Sequence, residues 1–401
     1  MKFNRIALVA TAAALFGASY ANACAVDGAG LSILSNDFPA INAIQAEARA
    51  CGAETEENAD VNNLFLDALS ASPAAYNIVI GANSTFSSSN AGGLLASISD
   101  VPGVADLPAP MKIMQDGEVK AIAFMANASH LMVRQDILDD LGLAVPTSYE
   151  EVLEVADAMK AAGVMEYPLT GRFAAGWNLA NEFVEIFQAT GESMFADGAN
   201  PNVNNAAGLA TLNMMKELTS RMNPDYLTFD SNAVQAQFEA GEAAIANNWG
   251  SRAAKVAAGA EALGGSITHT SAPTMGGGSA PAGTLWWDGF MFAANQSDEE
   301  LAAAVAVAIE SADAEMLGKG DNAGLTVWLI DGYSPTPAAT GVFATANAGA
   351  KAYPMVPYMG TLHTAIGAEI VEFLQGAESA EQALADVEAA YVAAATEAGY
   401  L

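Results

Sequence analysis

Two adjacent tryptophans run straight into an aspartate in Leu285-Trp286-Trp287-Asp288-Gly289-Phe290. The apolar residues around them mark a buried strand, and successive strand residues point to opposite faces. Trp286 and Trp287 therefore cannot enter one core, and one ring is free for other work. An indole offers a flat apolar face. A carboxylate beside it can accept from two neighbouring hydroxyls, each charge-assisted bond contributing about 1.5–3 kcal/mol. Together they suit a pyranose, which has an apolar C–H face and a rim of hydroxyls.

Side chains of the same character recur along the chain. The neutral amides are Asn36, Asn83, Asn127, Asn178, Asn247 and Asn248, and the further rings are Trp177, Trp249, Trp328 and Tyr333. Groups for covalent chemistry are missing. The sequence has no G-x-G-x-x-G or phosphate loop and no G-x-S-x-G elbow. Its three histidines, His130, His269 and His363, are scattered without zinc-ligand spacing. The carboxylate pair Asp139-Asp140 falls on the solvated side of an expected helix. No cofactor and no metal are expected.

These residues need a scaffold. A short strand over 31–34 leads into an amphipathic helix, and a helix over 61–71 leads into the strand Tyr76–Gly81, followed by a polar turn, ANSTFSSSN. Repeated strand–helix alternation predicts an α/β fold around a parallel sheet. Ligands gather beyond the carboxyl ends of such strands, which singles out Ser35, Asn36, Asp37, Asn83 and Ser84. Ser148 with Glu151, Ser297 with Glu300 and Ser379 with Gln382 read as helix-starting capping boxes. Loops rich in Gly, Pro and Ser flank 285–330, as if the chain crossed twice between two bodies.

Length and composition agree. The 401 residues suffice for two or three domains, and 52% hydrophobic with 15% charged residues is a folded composition. Residues 1–23 carry basic Lys2 and Arg5, an apolar run and Ala21-Asn22-Ala23, the form of a cleaved secretion signal. No later apolar run reaches the roughly 18 residues of a membrane span. Cys24 directly after the cleavage site also raises a lipoprotein, but Ala21 and Asn22 fit a lipid-attachment box poorly. Without Lys2 and Arg5 the 14 basic residues become 12 against 46 acidic ones, so the net charge of −32 becomes −34. Such a surface repels nucleic acid and anionic lipid. The two cysteines, Cys24 and Cys51, are expected to pair in an oxidising compartment.

The stretch DGEVKAIAFMANASHLMVRQDILDDLGLAVPTSYEEVLEVADAMKAAG (116–163) resembles the bacterial extracellular solute-binding proteins of family 1. VRQDILDDLGL stands for that family's YNKDLFEEAGL, and TSYEEV for KTWDEL. FEAGEAAIANNWG, WDGFMFAANQSDEELAAAVAVAI, GYSPTPAA and the tail from Val356 to Tyr391 follow in the family's order. The resemblance covers nearly all of the chain beyond the leader, and its collinearity carries more than any single motif.

The family resemblance implies a two-lobed periplasmic binding protein of class II type, with hinge strands between the lobes and the ligand in the cleft. The lobes would comprise 24–124 with 285–331, and 125–284 with 332–401. It implies a monomeric, periplasmic, non-enzymatic receptor for an ABC sugar importer, its partners being a mono- or disaccharide and the permease subunits. By position it assigns ligand contacts to Asn127, to Trp249 and to Asn83 with Ser84, and it puts His363 where maltose-binding members have a stacking aromatic. Gly81 stands where those members have a tryptophan, which predicts a smaller ligand. Asn36, Asp37, Arg172, Trp177, Asn248, Trp286, Trp287, Asp288 and Tyr333 complete the expected ligand set. A second ligand class stays open in the same fold: a polyamine or quaternary ammonium held by cation–π attraction. That class needs several carboxylates among the rings, where the sequence offers Asp288 and Asp37. An exported glycosidase has no positive signal. An adhesion protein would lack a buried polar cleft.

Overall fold

The computed structural model describes residues 24–58, 61 and 64–401. The expected secretion leader lies outside the described residues. Nine strands occur among them: β1 Ser32–Ser35, β2 Glu54–Glu57, β3 Ile78–Ala82, β4 Lys112–Gln115, β5 Glu118–Arg134, β6 Ile245–Trp249, β7 Ile267–Ser271, β8 Leu285–Phe292 and β9 Val327–Trp328. β2, β1 and β3 lie side by side and parallel, with helices Pro39–Ala50 and Phe65–Ser70 between them in sequence. The parallel arrangement ends there. β8 runs antiparallel to β3, and β5 antiparallel to β8. The sheet is therefore mixed, because β8 arrives from far along the chain without a crossover helix to set its direction.

β5 joins the two halves of the molecule. Its 17 residues span about 56 Å at roughly 3.3 Å each. Up to Ala128 it pairs with β4, β8 and β9; from Ser129 it pairs with β6 and β7. One strand thus serves two sheets. Because helices and loops cover both its faces, it reads as a continuous apolar run instead of an alternating one. The β5–β8 register shifts between Ala123 and Met125, beside Gly289. A Cβ on Gly289 would lie 2.4 Å from the Ile122 carbonyl oxygen, so only glycine permits this approach.

The apolar cores separate along the same line. One set packs Ile33, Ile41, Ile80, Phe124 and Phe290 with Val305 and Trp328, and on the other sheet face Phe65, Phe86 and Met291. The other packs Leu131, Phe183, Ile245 and Leu362 with Tyr391, and Met132 with Phe238. The first body is tied at its start by a disulfide between Cys24 and Cys51, as their compartment predicted.

Helix starts follow local chemistry with one qualification. Ser297 and Glu300 form a full reciprocal capping box. Ser148 and Ser379 accept from the backbone three residues on, but Glu151 turns back to Thr147 and Gln382 forward to Asp386. Asp139 and Asp140 are exposed on helix Gln135–Leu141, as expected. The expected turn ANSTFSSSN is instead a helix, Asn83–Ala91. Its Asn and Ser residues favour turns in isolation, but burial of Asn83, Phe86 and Ser89 on one side overrides that preference.

Candidate functional site

A cavity of 430 Å³ lies between the two bodies, within the roughly 300–1,000 Å³ of small-molecule sites. The first body lines it with Asn36, Asp37 and Phe38 beyond the carboxyl end of β1, and with Gly81, Ala82 and Ser84 at the end of β3. The second contributes Trp177 and Asn178 at a helix start, Asp230 to Asn232, and Trp249, Ser251 and Arg252 beyond β6. Asn127 on β5 and Trp286 and Asp288 on β8 complete the lining where these strands pass between the bodies.

Three indoles build one wall. Trp286 meets Trp249 edge-on at 5.4 Å between ring centres and Trp177 at 5.6 Å. Tyr353 closes on the same ring at 4.4 Å. Alternation along β8 sends Trp286 and Asp288 to the cavity and Trp287 to the opposite face. There Trp287 meets Phe86, 5.5 Å away, in the core of the first body. The doublet divides between the two bodies.

The wall is held from behind by a buried polar network. Arg172 pairs with Glu182 at 2.7 Å and Glu185 at 2.8 Å, and its guanidinium stacks on Trp249. Ser129 and Thr284 donate to the second oxygen-bearing partner, Glu185. The Trp286 indole N–H donates to Thr284. Burial pushes the Glu182 carboxyl up to about 7 against the pull of Arg172. Burial also opposes charge on Arg172, but Glu182 and Glu185 more than offset it. His363 secures Trp177: its Nε2–H donates to the Trp177 carbonyl at 2.9 Å while Nδ1 accepts from the Tyr353 hydroxyl at 2.8 Å. That tautomer is neutral, and burial holds the ring down at about 4.

The cavity's charges are unevenly satisfied. Asp230 accepts from the backbone of Asn232 and Ala233, capping helix Ser231–Ala240. Asp37 is exposed and accepts from Asn42. Burial pushes Asp288 up to about 7, with Arg252 pulling the other way. Burial lowers Arg252 to about 10, opposed by Asp230, Asp288 and Asp37. Asn127 accepts from the Ser251 backbone and donates to its hydroxyl, which fixes the turn bearing Arg252.

Of the expected ligand set, the cavity gathers Asn36, Asp37, Ser84, Asn127, Trp177, Trp249, Trp286 and Asp288. The others stand outside its lining. Asn83 is buried and donates to the Leu285 carbonyl, because the expected turn is a helix. Arg172, expected among the ligand contacts, is buried behind Trp249. Asn248 accepts from the Trp249 backbone N–H with its side-chain oxygen. Asn247 is held by Tyr149 and the Ala282 carbonyl, and Ser35 by Gln45. Trp287, Trp328 and Tyr333 pack in the first body. His363 stands outside the lining, its ring centre 5.0 Å from that of Trp177, which does line the cavity. Asn178, singled out among the amides, does line it.

Sequence reasoning missed Phe38, Asp230 and Arg252. For Arg252 a signal existed, a basic residue three positions after Trp249 in an acidic chain, but only folding brings it into the cavity that Asp288 also lines. Where two carboxylates were expected among the rings, the cavity lining holds three, Asp37, Asp230 and Asp288, and one guanidinium, Arg252. At Gly81, a Cβ would fall 2.5 Å from the Met291 methyl and 2.6 Å from the Phe65 ring. The chain's own side chains thus fill the place where a larger residue would stand.

Comparison with known proteins gives a consistent fold. A family model described as bacterial extracellular solute-binding protein matches residues 53–316. No curated protein matches the chain. An ABC-transporter solute-binding protein of Agrobacterium radiobacter K84, solved with ribitol, is 19% identical and superposes with a TM-score of 0.75, covering 91% of this chain and 98% of its own. One from Agrobacterium vitis S4 with bound D-mannitol is 17% identical at a TM-score of 0.76, covering 92% and 99%. Maltose-bound T. maritima MalE3 is 16% identical at 0.75, covering 90% and 98%. These similarities establish the two-lobed class II binding-protein fold.

Proposed function

The chain belongs to the bacterial extracellular solute-binding proteins, receptors and not enzymes, and from that premise we propose that it captures a neutral mono- or disaccharide, or a sugar alcohol, for an ABC importer. The observation that carries this reading is the cavity itself: three indoles, Trp177, Trp249 and Trp286, share one 430 Å³ space with Asn127, Ser251 and Asp288. The rings offer apolar faces to C–H groups, and the amide, hydroxyl and carboxylate suit hydroxyls. The ribitol, D-mannitol and maltose of the structural neighbours belong to the same chemical class.

The mechanism is capture by closure. Lobes of 24–124 with 285–331 and 125–284 with 332–401 rock about β5, β8 and the segment after β9. A solute touching both lobes favours the closed state and shifts the population towards it. The closed monomer then docks on its permease outside the membrane and releases the solute. No bond is made or broken.

A thermal-shift screen tests this with maltose, D-glucose, D-mannitol, ribitol, betaine, choline and spermidine. A ligand at a hundred times its Kd stabilises by about 2.7 kcal/mol, which raises Tm by several degrees. Shifts confined to the sugars or alditols are expected. Shifts confined to betaine, choline or spermidine would replace the sugar with a cationic solute.

A further inference from the structure

Two ionic side chains face this cavity without an ionic partner. Arg252 is 5% exposed. Its terminal nitrogens reach only the Ser251 and Ser231 hydroxyls, at 3.4 and 3.3 Å, its guanidinium lies 5.1 Å from the centre of the Phe38 ring, and its Nε has no partner. Arg252 takes part in none of the ion pairs among the described residues. Asp288 lines the same space, and no donor among the described residues reaches its carboxylate. Both line one cavity with no bond joining them, and each acts on the other's charge, Asp230 acting on Arg252 more strongly still. Asp230 and Asp37 differ, since both already accept hydrogen bonds.

Leaving the buried Arg252 charge unpaired is costly, and Asp288 stands half-buried with no donor, so an occupant that serves both is favoured. An ammonium would serve Asp288 and be repelled by Arg252. A carboxylate would serve Arg252 and be repelled by Asp288. A hydroxyl both donates and accepts, so neighbouring hydroxyls can bridge the two. Discrimination of this kind comes as much from the repelled competitor as from the accepted ligand.

Building on the carbohydrate reading above, we propose that Arg252 is a specificity-determining residue that forms, with Asp288, a split ion pair closed by the ligand, admitting uncharged polyhydroxyl solutes and rejecting those bearing an amine or a carboxylate. Each half has its own signature. Removing Asp288's charge opens the site to acids, and removing Arg252's opens it to amines.

Calorimetric titration at pH 7.5 of the wild type, Arg252→Gln and Asp288→Asn tests this. The neutral probes are maltose, D-glucose, D-mannitol and ribitol; the charged ones are D-glucosamine, D-glucuronate and D-gluconate. The wild type binds a neutral probe at least a hundredfold more tightly than any charged one. Both variants lose at least tenfold towards the neutral probe. D288N gains at least tenfold for an acid, and R252Q the same for glucosamine, with melting temperatures recording that both fold. If R252Q fails to fold, the acid gain of D288N decides alone. Neutral binding that survives both substitutions with charge selection unaltered overturns the split pair and leaves the sugar reading intact. Wild-type binding of glucosamine alone, or of no probe, overturns both.

Discussion

The Arg172 guanidinium lies 4.1 Å from the centre of the Trp249 ring, on the side away from the cavity. Cation–π contact and ion pairs to Glu182 and Glu185 tie one wall of the site to the core of the second body. Arg172→Met keeps much of the packing but leaves two carboxylates buried without their cation. Breaking one side of a buried pair costs about 3–5 kcal/mol. The urea midpoint is expected to fall accordingly, and an unchanged midpoint would show that the network carries no such load.

The rings that line the cavity should separate from Trp287 in a binding assay. Trp249→Ala or Trp177→Ala removes a cavity face and is expected to weaken the best ligand at least about tenfold, or roughly 1.4 kcal/mol. Trp287→Phe alters packing around Phe86 in the first body, outside the cavity, and leaves affinity within about twofold. Tryptophan fluorescence should report ligand in W287F as in the wild type. A large loss of affinity in W287F would place the ligand on the other face of β8.

Asp288 links binding to pH. Its carboxyl sits at about 7 in the folded protein and near 3.9 in an unfolded chain. Between these values the native state holds the extra proton, so Asp288's contribution to stability falls as pH rises from about 4 to 7. Asp288→Asn removes that fall and should melt higher than the wild type at pH 8. Hydroxyls donating to the carboxylate favour its charged form, so wild-type affinity rises from pH 6 to 8 with proton release. D288N should bind weakly and evenly across that range. Calorimetry in buffers of different ionisation enthalpy measures the released proton, and equal heats in all buffers would contradict the linkage.

The Cys24–Cys51 bridge closes a segment with a sequence separation of 27. By loop closure it stabilises the first body by about 3–4 kcal/mol. Cys51→Ser should lower Tm by several degrees while leaving the ligand affinity nearly unchanged, because neither cysteine approaches the cavity. A matching loss of affinity would mean that the bridge shapes the site.

Much of the scaffold was legible because it is written in local chemistry. Ser297 and Glu300 cap a helix with groups three residues apart, and 31–34 reads as a strand from its own side chains. The helix over 83–91 was not legible, since its polar residues become helical only when Phe86 finds a core. The antiparallel direction of β8 was equally hidden. A strand's residues encode its faces, not its neighbours.

The site divides in the same way. Chain order alone determined that Trp286 and Trp287 must part company and that Trp286 and Asp288 share a side, because strand side chains alternate. Which side meets the cavity was decided by Trp249, Trp177 and Tyr353 packing on one face of β8 and Phe86 on the other. Arg252, Asp230 and Phe38 entered the site only in three dimensions. Such contacts join residues far apart in sequence, and their energies depend on burial and distance, which exist only once both bodies have folded around β5.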